Sequence, residues 1–287
     1  MATPLTADAL VSALTAEGVR IVEYGDWRNH NRNTKGAWGP VNGVIVHHTV
    51  TSGTDSSVAF CYNGDSELPG PLCHGVIAKD GTVHLVGNGR ANHAGLGDDD
   101  VLTAVINETA LPAPDEDGTD GNTRFYGFEC VNLGDGSDPW PEAQLEAIAR
   151  VSAAICRAHG WHAASVIGHL EWTSRKIDPK GFSMVSMRTR VAALLAGTPG
   201  ASATHYQPFP GVAYFLSAPH STIVAAMGGR LVAEGCSAYT DGPDPQWSEA
   251  DRASYAKWQQ KLGYTGADAD GWPGATSWNA LQVPYTA

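Results

Sequence analysis

Two short apolar segments that each end in histidine constrain the fold of this chain more than any other feature. The first is the strand signal GVIVHH at residues 43–48, and the second is SVIGH at residues 165–169. Further strand signals alternate with helix signals over roughly the first 197 residues. Strands mixed with helices over this length predict an α/β fold in which a central mixed β-sheet is flanked by helices.

The remaining elements of this part follow from turn and capping signals. The segment HGVIAKDGTVHLVG at 74–87 predicts a hairpin, because Asp-Gly between two apolar runs is a strong turn signal. FYGFECVNLG at 125–134 predicts another strand. Helices are predicted near the N-terminus, at 141–160, which begins with Pro and ends with Gly, and at 183–197. Residues 96–123, rich in Asp, Pro and Gly, are interpreted as a surface excursion beside a substrate groove.

A change in composition marks a second domain. The segment TPGASATHYQPFPG at 198–211 is small, rich in Pro and uncharged, which is typical of a linker. Beyond it, helical patterns at 221–235, 248–264 and 275–281 predict a small three-helix domain with several tryptophans to bury. We therefore predict a first domain at 1–197, a linker at 198–209 and a helical domain at 210–287.

Charge and composition exclude several classes of partner. The net charge of −12 argues against nucleic acid and against an anionic membrane surface, since both require clustered Lys and Arg. No apolar run approaches the roughly 18 residues of a membrane-spanning helix, and the N-terminus does not resemble a secretory signal. Five cysteines without a CxxC pair fit buried thiols in a reducing compartment, with a Cys61–Cys73 disulfide as the alternative.

The segment GHLEWTSRKIDP at 168–179 carries the chemistry. It places His169 and Asp178 nine positions apart, with Lys176 two residues before the aspartate. Together with a histidine of the first strand, these residues predict a three-ligand zinc site that leaves the fourth position open. Because His47 and His48 are adjacent in a strand, they point to opposite faces, and the pattern does not choose between them.

Other polar residues in apolar surroundings are candidates for the same site. Glu129 lies in a strand, where a carboxylate facing the zinc would be a general base and one facing solvent would have no role. His93, on a turn in GRANHAGLG, and His74, in LCHGV, are predicted to bind substrate. Cys73 is either a structural thiol or an additional metal ligand.

Five ordered motifs of the chain resemble those of the type-2 N-acetylmuramoyl-L-alanine amidases, which are related in fold to the peptidoglycan recognition proteins. These motifs are VIVHHT, LCHGVIAKDGTVHLVG, GRANHAGLG, YGFECVNLG and GHLEWTSRKIDP, and the similarity covers about residues 40–195. The resemblance implies Zn²⁺ as cofactor and peptidoglycan as substrate. It assigns metal ligands to His47, His169 and Asp178, the general base to Glu129, the catalytic lysine to Lys176 and a position in the substrate groove to His93.

One position departs from the family pattern. Other members place a tyrosine just before the histidine of the second motif, and some use it in catalysis, whereas this chain has Cys73. The tyrosine-dependent mechanism is therefore not expected here, and more weight falls on Glu129.

The C-terminal segment YAKWQQKLGYTGADADGWPGATSWNAL is similar to helical peptidoglycan-binding modules. A catalytic domain, a linker and a wall-binding domain together resemble a phage endolysin, which implies a protein made in the host cytoplasm and acting at the cell wall. The sequence does not determine the oligomeric state, and a monomer is the expectation. Two alternatives stay open. One is a peptidoglycan-binding protein without activity, and the other is a bacterial amidase that remodels the wall.

Overall fold

The computed structural model describes residues 2–200 and 206–286, and the chain divides into two compact units, Met1–Ala203 and Thr204–Ala287. The linker predicted at 198–209 lies partly outside the described residues, since 201–205 are not among them. In the described parts of the chain, no helix combines the length and the apolar character that crossing a membrane requires. All five cysteines are buried free thiols, so Cys61 and Cys73 are not joined.

A six-stranded mixed sheet forms the centre of the first unit. In chain order the strands of this unit are Ile21–Glu23 (β1), Gly43–His48 (β2), Gly75–Ile77 (β3), Val83–Leu85 (β4), Leu96–Gly97 (β5), Thr119–Asp120 (β6), Phe125–Cys130 (β7) and Val166–Gly168 (β8). The large sheet has the order β1-β4-β3-β7-β2-β8, while β5 and β6 form a separate pair. The β3–β4 hairpin is antiparallel and the other neighbours in the large sheet are parallel, which confirms the predicted mixed sheet.

Helices cover both faces of this sheet. The helices of the first unit are Ala7–Ala16 (α1), Thr54–Asn63 (α2), Asp99–Asn107 (α3), Glu142–His159 (α4), His169–Trp172 (α5) and Met184–Ala196 (α6). Strand alternation sends Val44 and Val46 into a core with α1, α4 and α6. It sends Ile45 to the opposite face, where it packs with residues of α3 and α5. His47 follows Ile45 by two positions and therefore lies on that second face.

Helix α3 was not predicted. It occupies part of the segment 96–123 that we interpreted as a surface excursion. The side chain of Asp98 accepts a hydrogen bond from Val101 N and caps the helix, and Asp99 and Asp100 lie in its first turn. Acidic residues are favourable at this end of a helix, so the aspartates that indicated a loop belong to a helix start. Strand β1 and helix α2 were also not predicted.

The second unit is helical. Its helices are Val212–Leu216 (α7), Thr222–Ala233 (α8), Glu249–Lys261 (α9) and Ala275–Leu281 (α10). The three predicted helices are present, and α7 is an additional short one. The buried aromatic side chains of its core are Phe215, Trp247, Tyr255, Trp258 and Trp278. Asp251 caps α9 by accepting hydrogen bonds from the backbone N and the side-chain Oγ of Ser248.

We expect the first unit to fold by itself. The described core residues of this unit all lie before residue 200, and those of the second unit all lie after residue 206. A chain truncated after Gly200 should therefore keep one cooperative thermal unfolding transition, measured by circular dichroism, with the midpoint that the first unit shows in the full chain. A truncated chain that lacks a cooperative transition would contradict this division.

Candidate active site

The order of the sheet brings the predicted metal ligands together. Strands β2 and β8 are parallel neighbours, with Val46 paired to Gly168. His47 follows Val46 in β2, and His169 follows Gly168 as the first residue of α5, so both histidines lie at the same edge of the sheet. Asp178 is held beside them because Leu170 N donates a hydrogen bond of 2.7 Å to its backbone oxygen.

Three side-chain atoms converge at this edge. His47 Nδ1 lies 2.9 Å from His169 Nδ1 and 3.0 Å from Asp178 Oδ2, and His169 Nδ1 lies 3.0 Å from the same oxygen. The three residues are buried, with at most 7% of any of them exposed. Two imidazole nitrogens and one carboxylate oxygen lie close enough together to hold a metal ion, and catalytic zinc sites use donors of these types.

The contacts on the far side of each imidazole determine where its hydrogen lies. His93 Nε2 lies 3.0 Å from Phe125 O, which can only accept, so the hydrogen of His93 is on Nε2 and its Nδ1 is an acceptor. His47 Nε2, 3.0 Å from His93 Nδ1, must then carry the hydrogen of His47. His169 Nε2 likewise donates to Ala94 O at 3.2 Å. Both Nδ1 atoms therefore present lone pairs to Asp178.

The positions of these hydrogens determine whether the three residues fit a metal. Three acceptors at about 3 Å repel one another unless a proton or a cation lies among them. Burial and repulsion from His169 lower the pKa of His47 to about 4, and burial with repulsion from His47 and His74 lowers that of His93 well below its usual value. Because the ring of His47 is neutral at pH 7 and its Nδ1 converges with His169 Nδ1 and Asp178 Oδ2, this donor set fits a divalent cation.

His48 lies apart from the three converging atoms. It faces the opposite side of β2 from His47, and its Nδ1 accepts a hydrogen bond of 3.2 Å from Lys180 N. It still contributes to the wall of the cleft described below. The alternation of the strand separates the two histidines, and the position of His169 and Asp178 selects His47.

Glu129 lies directly beside His47, because β2 and β7 are parallel and pair these two residues. Its Oε2 is buried and has no hydrogen-bond partner within the described chain. Burial and the nearby charge of Asp178 raise the pKa of Glu129 to about 8, although Lys176 opposes the shift. A carboxylate with an unused buried oxygen and a raised pKa is typical of a group that exchanges protons during a reaction.

A cleft of about 510 Å³ opens over these residues. Glu129, His169 and Asp178 line its floor, while Lys176 and Arg175 contribute positive charge to its wall. Lys176 is exposed, and the described residues offer its ammonium group no hydrogen bond or ion pair. Exposed apolar side chains, including Val50, Phe60 and Leu68, line another part of the cleft. The cleft therefore offers a ligand both cationic and apolar contacts.

The two histidines predicted to bind substrate differ in position. His93 lines the cleft, but His47 and Phe125 O engage both of its nitrogens. His74 is almost completely buried, and its ring lies between Gly127 N and Gly89 O, with Trp38 stacked on it. It does not line the cleft. Their roles in substrate binding stay predictions.

Two residues near this site, Arg175 and Asn122, were not predicted from the sequence. Arg175 precedes Lys176 in the same motif and lines the cleft, so its proximity to the lysine was a usable signal. Asn122 is buried and contacts the segment that carries His93. No local pattern indicated Asn122, because the residues it contacts lie 27 to 29 positions earlier in the chain.

Comparison with known proteins places this site in context. The family model described as N-acetylmuramoyl-L-alanine amidase matches residues 37–181, about half of the chain. This match includes His47, Glu129, His169, Lys176 and Asp178. In a comparison with curated proteins, no match was found.

Similar solved structures are distant. The amidase AmiD from E. coli, in complex with anhydro-N-acetylmuramic acid-L-Ala-D-gamma-Glu-L-Lys, is 17% identical, covering 88% of this chain and 91% of its own, with a TM-score of 0.40. The endolysin of Thermus scotoductus bacteriophage Ph2119 is 16% identical over 60% of this chain and 99% of its own, with a TM-score of 0.40. The catalytic domain of XlyA is 17% identical over 60% and 99%, with a TM-score of 0.41. Likenesses this distant carry no argument about activity.

Because His47 and His48 are adjacent in β2, their alanine variants form a matched pair that tests the predicted metal ligands. We expect the purified protein to bind about one zinc per chain, as one three-ligand site implies. His47→Ala removes one of the three converging donors and should abolish this binding, whereas His48→Ala should retain it. Metal content of both variants, measured by mass spectrometry after dialysis against zinc, checks the assignment. Loss of zinc in His48→Ala alone would move the ligand to His48.

Proposed function

The chain belongs to the N-acetylmuramoyl-L-alanine amidase family, and from this premise we propose that it is a zinc-dependent hydrolase that cleaves peptidoglycan. The bond would be the amide between the lactyl group of N-acetylmuramic acid and L-alanine of the stem peptide. The observation that carries this proposal is the convergence of His47 Nδ1, His169 Nδ1 and Asp178 Oδ2 beside a cleft that His169 and Asp178 line.

The three converging donors would hold the metal. Zinc bound there would polarise the scissile carbonyl, lower the pKa of a water to about 7 and lower the pKa of nearby Glu129. The Nδ1 atoms of His47 and His169 would supply the nitrogen lone pairs, and hydrogen bonds from the Nε2 atoms on the far sides of the rings keep those lone pairs directed at the site.

Glu129 and Lys176 would carry the remaining chemistry. The Oε2 of Glu129, which has no hydrogen-bond partner within the described chain, would accept a proton from the attacking water and return it to the leaving amine. The ammonium group of Lys176 would stabilise the negative charge that develops on the carbonyl oxygen. Because that charge exists mainly in the transition state, Lys176→Ala should lower kcat more than it raises KM.

The second unit and the biological setting are proposed with the activity. We infer that the helical unit binds the cell wall and that the protein is an endolysin that lyses the host of a phage. The resemblance of residues 255–281 to peptidoglycan-binding modules and the separate core of this unit support the inference.

The cleaved bond can be determined directly. Peptidoglycan digested by the full chain should release stem peptides with a free N-terminal alanine and should leave intact N-acetylmuramic acid on the glycan. Mass spectrometry of the digest distinguishes these products from those of a glycosidase or a peptidase. Products cut within the glycan or within the stem peptide would refute the proposed activity.

Glu129→Gln tests the general base in two ways. It keeps the size of the side chain but removes its basicity, so it should retain zinc while activity falls roughly 10²- to 10⁴-fold. A raised pKa in the folded state also means that metal-free protein loses stability as pH rises from the ordinary glutamate range towards 8. Metal-free Glu129→Gln should therefore unfold at a higher temperature than the parent chain at pH 8, with the difference vanishing near pH 4. Near-parental activity would leave Glu129 without a catalytic role.

The wall-binding assignment predicts salt-resistant sedimentation. The chain carries a net charge of −12 and Gram-positive walls carry anionic polymers, so long-range attraction cannot recruit it. The isolated second unit should sediment with purified walls even at high salt, where Coulomb attraction is screened. The chain truncated after Gly200 should lyse walls more slowly, because it lacks the tethering that raises local concentration. The assignment is wrong if the isolated unit stays in the supernatant and truncation leaves lysis unchanged.

A further inference from the structure

The buried side-chain amide of Asn122 holds residues 93–95. Two of these residues contact the Nε2 atoms of His47 and His169, on the side of each ring that faces away from Asp178. Asn122 Oδ1 accepts hydrogen bonds from His93 N at 2.8 Å, Ala94 N at 2.8 Å and Gly95 N at 3.3 Å. Only 8% of Asn122 is exposed. Residues 93–95 have no regular secondary structure, and three successive backbone donors converging on one oxygen fix their path.

This segment contacts each histidine ligand once. The ring of His93 accepts the hydrogen of His47 Nε2, and the carbonyl of Ala94 accepts the hydrogen of His169 Nε2. Both contacts determine which nitrogen of the ligand keeps its lone pair for the site. Two proposed ligands, one from strand β2 and one from helix α5, thus each contact one of two adjacent residues.

The surroundings leave this arrangement little freedom. A Cβ atom on Gly127 would lie 2.3 Å from His93 Nδ1, so the strand beneath the ring must carry glycine at this position. A Cβ atom on Gly121 would lie 2.7 Å from Ala94 Cβ. Asn122 is itself held by Asp120, whose Oδ1 accepts from Asn122 N and whose Oδ2 pairs with Arg90 at 2.7 Å.

We propose that Asn122 is a positioning residue of the metal site, acting through His93 and Ala94 to orient His47 and His169. This inference rests on the proposed zinc site. It assigns His93 an orienting contact with His47, in addition to any contact with substrate. Removing such outer partners typically lowers metal affinity about 10- to 100-fold.

Asn122→Leu and Asn122→Asp separate positioning from simple packing. Both keep the approximate shape of asparagine, but only aspartate retains an oxygen that can accept the three backbone hydrogens. Zinc affinity of the full chain would be measured by competition with a chromophoric chelator, and folding by circular dichroism of the metal-free protein. We expect Asn122→Leu to bind zinc about 10- to 100-fold more weakly and Asn122→Asp to restore affinity to within about threefold of the parent chain. Affinity of folded Asn122→Leu within that threefold range would overturn the proposal.

His93→Phe and His74→Phe form a second, matched pair, which decides the matter if Asn122→Leu fails to fold. Both histidines are buried and use both ring nitrogens, but the nitrogens of His74 contact only backbone atoms of Gly89 and Gly127. The ring of His74 lies edge-on to His93 and makes no hydrogen bond with His47 or His169. His93→Phe should weaken zinc binding about 10- to 100-fold, while His74→Phe should lower the unfolding temperature and leave zinc affinity unchanged. Equal zinc affinity in the two variants would refute the proposal. If the parent chain itself bound no zinc, the metal site of the proposed function would fail instead.

Discussion

The repulsion among three buried acceptors is the physical constraint on which the rest of the first unit depends. His47 Nδ1, His169 Nδ1 and Asp178 Oδ2 lie within 3.0 Å of one another, and none carries a hydrogen in the arrangement that their other contacts impose. Unpaired acceptors at such distances cost free energy in a low-dielectric interior. The surrounding fold must hold them in place, and binding of a cation by the folded state alone would stabilise the chain.

Parallel strand pairing supplies that restraint. Residues 47, 129 and 169 are far apart in sequence, but β7, β2 and β8 are consecutive in the sheet, so their carboxyl ends bring these residues to one edge. Ligand sites of open α/β sheets are typically found at this edge. The other face of the same strands packs against α1, α4 and α6. Moving His47 or Glu129 would therefore require the strand that carries it to shift against this core.

The sequence predicted what depends on local pattern. Apolar runs indicated β2 and β8, the Asp80-Gly81 turn indicated the β3–β4 hairpin, and the Pro and Gly at its ends indicated α4, with bounds within one or two residues of those observed. The spacing of His169 and Asp178 indicated a shared role, and both lie in the observed donor group. These features required only the period of a strand or helix and the chemistry of a turn.

What the sequence did not predict depends on tertiary contacts. Alternation separated His47 from His48, but the choice between them needed the position of β8. Three successive aspartates indicated a loop until the cap contacts of Asp98 revealed a helix. No sequence pattern indicated a role for Asn122, because its amide oxygen accepts hydrogen bonds from backbone groups that only the fold brings close to it.

The groups that accept hydrogen bonds from His47 Nε2 and His169 Nε2 affect the net charge of the proposed metal site. His47 donates to a neutral imidazole and His169 to a backbone carbonyl, so neither outer partner brings a negative charge. A divalent zinc with one carboxylate ligand would keep one net positive charge. Lys176, which lines the cleft, would add one positive charge, and Glu129 acting as a base would contribute one negative charge. The site would then keep a net charge of +1, which would favour an anionic transition state over a neutral amide substrate. Negatively charged outer partners of the two histidines would cancel this charge, whereas the neutral partners would leave it available to the developing oxyanion.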